Sequence, residues 1–194
     1  MREEVKHDLN ESASDFVHIV WPAVSSLCGG GTLYPVEAAR HLGIIVALDN
    51  CSGIDAFQML PSGTVLRGVA SRIQYGRYYP TFTLRYKRSN GAVTEFEKRL
   101  YAIRHVAQGC IYPHLTIHAY MSRPKGKLLA VAVTETRALY HYAERYREDR
   151  SRVYEQRNIS DGNSFLVVLW DPYQQAGHPL KTFVSEEVAW RSVS

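Results

Sequence analysis

Three side chains in one short stretch of the chain have the chemistry of a site that acts on phosphate. The stretch from Gly53 to Gly76 has an aspartate near its start, Asp55, and an arginine and a glutamine near its end, Arg72 and Gln74. Carboxylate and amide oxygens are ligands that Mg²⁺ or Mn²⁺ can bind. A guanidinium can neutralise the charge of a phosphate, but it cannot act as a base because arginine stays protonated at ordinary pH. These residue types fit metal-assisted phosphate chemistry. The alternative is that Asp55 satisfies backbone amides at the start of a strand and that Arg72 and Gln74 are exposed.

The elements that would position these side chains are two strands joined by a tight turn. The strands are predicted in IDAFQML and TVLRGVASRIQ, with PSG as the turn. Because side chains alternate along a strand, Ala70, Arg72 and Gln74 share one face. A helix is predicted just before the hairpin, in TLYPVEAARHLG, with a threonine to cap it and a glycine where it stops. This helix carries a second acidic residue, Glu37.

The rest of the chain alternates between strand and helix patterns. TFTLRYKR alternates apolar and polar residues as a half-buried strand does, and residues 89–109 contain a helix with apolar positions three to four apart. From residue 33 the predicted order is helix, strand, strand, strand, helix, strand, strand. We therefore expect one α/β (α+β) domain over residues 1–194, with a mixed central sheet flanked by helices. Its core spans about residues 33–135, a C-terminal helix and strand within 136–175 pack on that core, and residues 1–14 form a flexible or helical polar lead.

This order of elements resembles the core of the PD-(D/E)xK nucleases, which have the restriction-endonuclease-like fold. In that family an acidic residue often lies on the first helix, an aspartate on the first strand of the hairpin, and an acid and a lysine on the next strand. Glu37 and Asp55 match the first two positions. The resemblance implies that Glu37 and Asp55 hold Mg²⁺ or Mn²⁺, that Gln74 or a backbone carbonyl completes the metal shell, and that Arg72 neutralises the scissile phosphate. The implied activity is metal-dependent hydrolysis of phosphodiester bonds.

The third position of the family pattern differs in this chain. The strand ASRIQ offers Arg72 and Gln74 where the family has an acid and a lysine. One interpretation is that the missing groups lie on the following helix, where Glu95 and Lys98 share a face. Another is an inactive, nuclease-like protein that still binds nucleic acid or has an interaction role.

A second resemblance uses the same part of the chain in another way. VLRGVAS followed by TEFE is similar to motifs of the ADP-ribosyltransferases. This resemblance implies that Arg67, with Glu95 and Glu97, would hold NAD. It conflicts with the helix predicted at TEFEKR, because the family presents its glutamates on a loop, and no STS motif lies between the two segments.

The distribution of charge favours a nucleic-acid partner, either DNA or RNA. The net charge is +4, and basic residues alternate with tyrosines between residues 72 and 88. Arginine beside tyrosine suits phosphate contacts combined with base stacking. A second basic stretch, residues 144–157, is interpreted as a solvated helix face with internal ion pairs. For the protein as a whole, a protein partner or a homo-oligomer is the alternative to a nucleic-acid partner. The residues predicted to contact the nucleic-acid backbone are Arg77, Arg85, Lys87 and Arg88.

Other kinds of site are excluded by spacing and composition. Cys28, Cys51 and Cys110 are odd in number and lack CxxC spacing, so we expect plain thiols rather than a disulfide framework or a zinc site. His114 and His118 would lie about 13 Å apart on an extended strand, too far apart to share one zinc ion. No apolar run is long enough to cross a membrane, and the charged start is no signal peptide, so a soluble cytoplasmic protein is expected.

Overall fold

The structure is a computed structural model that describes residues 11–36 and 53–186. Its first described segment is helical, with a π-helical stretch at Phe16–Val20 followed directly by α1 (Trp21–Val24) and a 3₁₀ turn at Ser26–Cys28. A loop follows, in which all three glycines at 29–31 have positive φ angles between 73° and 93°. Such angles are easy for glycine and costly for other residues.

The segment after these glycines is a strand where the sequence predicted the start of a helix. β1 (Thr32–Pro35) pairs antiparallel with β2 (Ala56–Met59), so the helix prediction is wrong for these four residues. Hydrogen bonding to β2 outweighs the local helix propensity, and the proline is tolerated because β1 lies at the edge of the sheet. Glu37 and the remainder of the predicted helix lie outside the described residues.

The predicted hairpin is confirmed. β2 pairs antiparallel with β3 (Leu66–Tyr75), and Ala56 lies opposite Val69. These strands belong to a six-stranded mixed sheet in the order β1-β2-β3-β5-β6-β9. Only the pairing of β3 with β5 is parallel among its described strands. The other members are β5 (Leu115–Met121), β6 (Leu128–Glu135) and β9 (Leu180–Val184).

The strand predicted after the hairpin forms, but it leaves the hairpin's sheet. β4 (Thr81–Lys87) pairs with β8 (Ser164–Leu169), which also pairs with β7 (Val153–Arg157), and the three form a second sheet. The edge of β3 that β4 would otherwise occupy is taken by β5. The predicted mixed α+β fold is confirmed, whereas the second sheet was not predicted from the sequence.

The helices close the space between the sheets. α2 (Glu95–Arg104) begins with a capping box, in which Thr94 and Glu97 satisfy each other's backbone N–H groups. α3 (Thr136–Arg145) and α4 (Trp170–Gln175) follow β6 and β8 directly. α3 ends earlier than expected, so the basic stretch at 144–157 forms a turn and β7 rather than one helix face. No helix among the described residues is long and apolar enough to cross a membrane.

Two apolar clusters hold these layers together. The first lies between the sheets and the helices α2 and α3, and includes Phe82, Tyr120, Tyr140 and Leu166. The second packs the other face of the larger sheet against the N-terminal helical turns. Phe82 and Leu84 of the first cluster also line the cavity of the candidate site, which therefore lies beside this cluster.

Candidate functional site

An open groove runs between β3 of the larger sheet and the smaller sheet. Its volume is about 460 Å³. Arg72 and Gln74 both line it, as expected from their shared face on β3. The remaining lining residues come from the smaller sheet and the loop after β7: Thr83, Gln156, Arg157, Asn158, Ile159 and Phe165.

A smaller, more enclosed cavity of about 60 Å³ lies beside the groove. Arg72 and Thr83 line both spaces. The polar residues that line only the cavity come from three elements, β3, α2 and β5: Ser71, Glu95, Arg99, Thr116 and His118. The cavity therefore forms a polar extension of the groove towards the core.

Arg72 occupies the junction of the two spaces and lacks an acceptor among the described residues. Within the described residues its guanidinium has no hydrogen-bond or ion-pair partner, and its one ring contact is with Phe165, 5.0 Å from the ring centre. Burial lowers the pKa of Arg72, and the nearby Arg85 lowers it further, although Glu95 opposes this shift. The Arg72 side chain is half-buried and its nitrogen atoms reach solvent, so its N–H donors are open to an anion that enters the groove.

Arg85 adds a second guanidinium whose charge acts on Arg72, although Arg85 lines neither the groove nor the cavity. Its Nε atom is buried, and no described residue accepts a hydrogen bond from it; the hydroxyl oxygen of Thr83 is likewise buried and unpartnered in the described part of the chain. Arg157 lies at the rim of the groove and is exposed. Like charges held this close repel each other, so the arrangement favours a bound anion.

Glu95 is the only carboxylate that lines either space among the described residues. Its Oε1 lies 2.6 Å from Nη1 of Arg99. Burial acts to raise the pKa of Glu95, but Arg99, followed by Arg72 and Arg85, lowers it overall, so the carboxylate is ionised at neutral pH. Arginines therefore outnumber the carboxylate and leave the site positive. The interpretation that an acidic group lies on the helix after the hairpin agrees with this position, while Lys98 lines neither space.

His118 connects the core to the groove. Its ring is 1% exposed and stacks on Tyr120. Nδ1 accepts a hydrogen bond from the backbone N–H of Thr83 at 3.3 Å, and Nε2 lies 3.1 Å from Oε1 of Gln74. Burial, and then the charge of Arg72, hold the pKa of His118 well below its usual value, so the ring is neutral. His114 bonds elsewhere, to the backbone of Gly68, so the two histidines act independently as predicted.

The neutral His118 makes stability depend on pH. In the unfolded chain this histidine takes up a proton near pH 6.5, whereas in the folded protein it does so only at a much lower pH. The unfolded state thus binds more protons below about pH 6.5, and the free energy of unfolding falls as the pH drops below that value. Urea denaturation between pH 7.5 and 5 should show this loss.

His118→Phe is expected to remove most of that pH dependence, since phenylalanine does not titrate. A small slope should remain from His114, whose pKa is lowered by burial and by Arg67. An unchanged slope in the variant would contradict the neutral state assigned to His118.

Asp55 has contacts of its own within the hairpin. Its Oδ2 accepts hydrogen bonds from the backbone N–H of Ser71 at 2.5 Å and from the Ser71 hydroxyl at 3.2 Å. Among the described residues no three histidine, cysteine or acidic side chains are grouped to hold a metal ion. A metal shared by Asp55 and Glu37 stays a prediction, because Glu37 lies outside the described residues.

The predicted backbone contacts are spread over the surface around the groove, and only Arg85 lies close to Arg72. Arg77 stacks on Tyr79, at 5.6 Å from the ring centre. Lys87 forms an ion pair with Glu155 at 2.8 Å, and Arg88 is exposed just beyond β4. None of these three residues lines the groove.

Arg67 and Glu97, which the ADP-ribosyltransferase resemblance groups with Glu95, both have contacts that support the fold. Nη2 of Arg67 donates to the carbonyl of Cys28 at 2.7 Å. Glu97 belongs to the capping box of α2, where its carboxylate accepts from the backbone N–H of Thr94 at 2.7 Å. NAD binding by these residues stays a prediction.

Sequence reasoning missed the wall of the groove formed by the smaller sheet. The wall contains Gln156, Arg157, Asn158 and Phe165, which lie about eighty to ninety positions after Arg72. Gln156 and Arg157 were assigned to the basic stretch 144–157, and Asn158 and Phe165 were given no role. One signal was present, since Gln156, Arg157 and Asn158 form a basic and amide-rich run beside a strand pattern. His118 was assigned no role because its partners are fixed by the pairing of distant strands.

Comparisons with protein-family models, curated proteins and solved structures gave no significant match to this chain. The chemistry of the groove and cavity therefore carries the functional conclusion.

Proposed function

We propose that the protein binds nucleic acid and that a backbone phosphate is held by Arg72 at the junction of groove and cavity, with the nearby charge of Arg85 adding to the attraction. The observation that carries this proposal is the absence, within the described residues, of any hydrogen-bond or ion-pair acceptor for the half-buried guanidinium of Arg72. Guanidinium groups form short, bidentate hydrogen bonds with phosphate oxygens. A phosphate would satisfy these donors and offset the repulsion between the two arginines.

The size and lining of the groove favour a polymer over a free phosphate ion. The groove holds about 460 Å³, and Arg157 at its rim offers a second cationic contact for a neighbouring phosphate. Ile159, at the same rim, is 98% exposed and provides an apolar surface on which a base can rest. Cations along a groove beside apolar surface are typical of proteins that bind single strands.

The proposal predicts binding that depends on salt and is independent of metal. Two to three neutralised phosphates on a single strand should give a slope of log K against log salt concentration of about −1.4 to −2. EDTA should leave the affinity unchanged, because the donors in the groove belong to the protein. Fluorescence anisotropy with labelled single-stranded RNA, single-stranded DNA and duplex DNA, between 50 and 300 mM salt, measures both effects.

One control and two further outcomes define the result. An uncharged peptide-nucleic-acid strand of the same sequence should not bind, because it carries no phosphate. No saturable binding to any of the nucleic acids at 50 mM salt, or an affinity that does not change with salt, would contradict the proposal. Binding that requires added Mg²⁺ would instead point to a metal at the groove.

A further inference from the structure

The hydrogen bond from Thr83 to His118 fixes where the proton of the imidazole lies. A backbone N–H can only donate, so Nδ1 of His118, 3.3 Å from the Thr83 nitrogen, must present a lone pair. The ring is neutral, because it is 1% exposed and lies close to the positive charge of Arg72. A neutral imidazole with a lone pair on Nδ1 carries its single proton on Nε2.

That proton in turn fixes the orientation of the Gln74 amide. Nε2–H donates to Oε1 of Gln74 across 3.1 Å. The opposite orientation of the amide would place its NH₂ group against Nε2–H, which sets two donors against each other. The Gln74 amide therefore keeps its oxygen towards His118, and its two N–H donors are left for the groove.

The histidine ring cannot easily rotate to change this pattern. It lies 5.0 Å from the ring centre of Tyr120, at an angle of 8°, and 6.0 Å from that of Phe82. Both neighbours are buried in the core between the sheets. Tight packing of this kind holds a side chain in one rotamer.

We infer that His118 is a positioning residue that makes Gln74 a fixed hydrogen-bond donor in the groove, directed at a non-bridging oxygen of the phosphodiester next to Arg72. The inference rests on the proposed function, because it names the part of the nucleic acid that the groove contacts. Arg72 and Gln74 then form a wall of donors that matches an anion and disfavours a metal cation. His118 itself need not touch the ligand.

The first test determines, without any ligand, which nitrogen of His118 carries the proton. A two-bond ¹H–¹⁵N correlation spectrum of the full chain at pH 7 should show a protonated Nε2 and an unprotonated Nδ1 for His118. A proton on Nδ1, or on both nitrogens, would overturn the inference. This readout does not depend on whether the protein binds nucleic acid.

The second test is a double-mutant cycle on affinity, with a labelled single-stranded RNA as the probe. Gln74→Ala should weaken binding about tenfold, the usual value of a hydrogen bond to a charged group. His118→Phe should weaken it between about twofold and tenfold, because the amide is then free to turn. If His118 acts through Gln74, the double variant should bind within about twofold of Gln74→Ala.

The matched control for this cycle is Gln156→Ala, which removes another glutamine of the groove that has no contact with His118. In the Gln156→Ala background, His118→Phe should weaken binding by the same factor as it does in the wild-type protein. Additive effects of His118→Phe and Gln74→Ala, or unchanged affinity in His118→Phe, would overturn the inference.

A third variant leaves the core intact if His118→Phe does not fold. Gln74→Glu keeps an oxygen for His118 but replaces both donors in the groove by an acceptor. It should weaken binding more than Gln156→Glu, which makes the same charge change at the other glutamine. Equal losses would overturn the inference, whereas failure of the wild-type protein to bind any nucleic acid would overturn the proposed function and the ligand assignment together.

Discussion

Arg72→Gln is expected to weaken binding of a single-stranded oligonucleotide at least about tenfold, while the free energy of unfolding stays within about 1 kcal/mol of the wild-type value. The guanidinium of Arg72 has no hydrogen-bond or ion-pair partner in the described part of the chain, so the folded state loses no such bond when it is removed. The variant loses the contact with Phe165 and the attraction to Glu95, and these losses are offset by relief of the cost of burying the charge and of the repulsion from Arg85. Anisotropy titrations and urea denaturation of the same variant measure the two effects.

The matched control is Arg150→Gln, which makes the same change of charge in the exposed turn between α3 and β7. Arg150 does not line the groove, so its removal should change affinity by less than about twofold through long-range charge alone. Equal losses in the two variants would mean that binding follows overall charge and is not localised at Arg72. A large loss of stability in Arg72→Gln would mean that this arginine is structural.

Arg99→Met, unlike Arg72→Gln, is expected to destabilise the fold and to lower the free energy of unfolding by about 3 kcal/mol. Arg99 is 5% exposed. It donates to the hydroxyl of Tyr140 and to the carbonyl of Gly53, both at 2.8 Å, and it pairs with Glu95 at 2.6 Å. Methionine fills similar space but leaves all three acceptors without this donor. Chemical denaturation monitored by circular dichroism measures the loss.

Arg104→Met provides the comparison on the same helix. Arg104 forms an ion pair with Glu144 of α3, but its side chain is 54% exposed. Exposed pairs contribute little, so this variant should change the free energy of unfolding by less than about 1 kcal/mol. If Arg99→Met is as stable as Arg104→Met, the buried network around Glu95 does not support the fold as described.

The local elements of this fold were predictable where the sequence pattern and the tertiary contacts agree. The hairpin of β2 and β3, the strand β4 and the helix α2 follow from period-two and three-to-four spacing. The partner of β4 did not follow, because alternation indicates a strand without saying which strand it pairs with. The four residues of β1 were predicted as helix, because the strand β2 that holds them extended comes more than twenty positions later.

Only one wall of the candidate site, the one formed by β3, could be predicted from the sequence. The shared face of Arg72 and Gln74 is set by their spacing on one strand, and both line the groove. The opposite wall comes from β4, β7 and β8 and depends on a second sheet that no local pattern indicates. The role of His118 depends on hydrogen bonds to residues 35 and 44 positions away, so it could not be inferred without the structure.

The separation of the groove's walls between two sheets has a consequence for how affinity can change. Arg72 and Gln74 belong to the larger sheet, while Thr83, Phe165 and Arg157 belong to the smaller one, and the two sheets meet through the aromatic core around Phe82, Tyr120 and Trp170. The width of the groove is thus set by side chains that no ligand can reach. Substitutions in that core that preserve stability can tune recognition from a distance, so the interior of this protein is as much a source of binding variation as its surface.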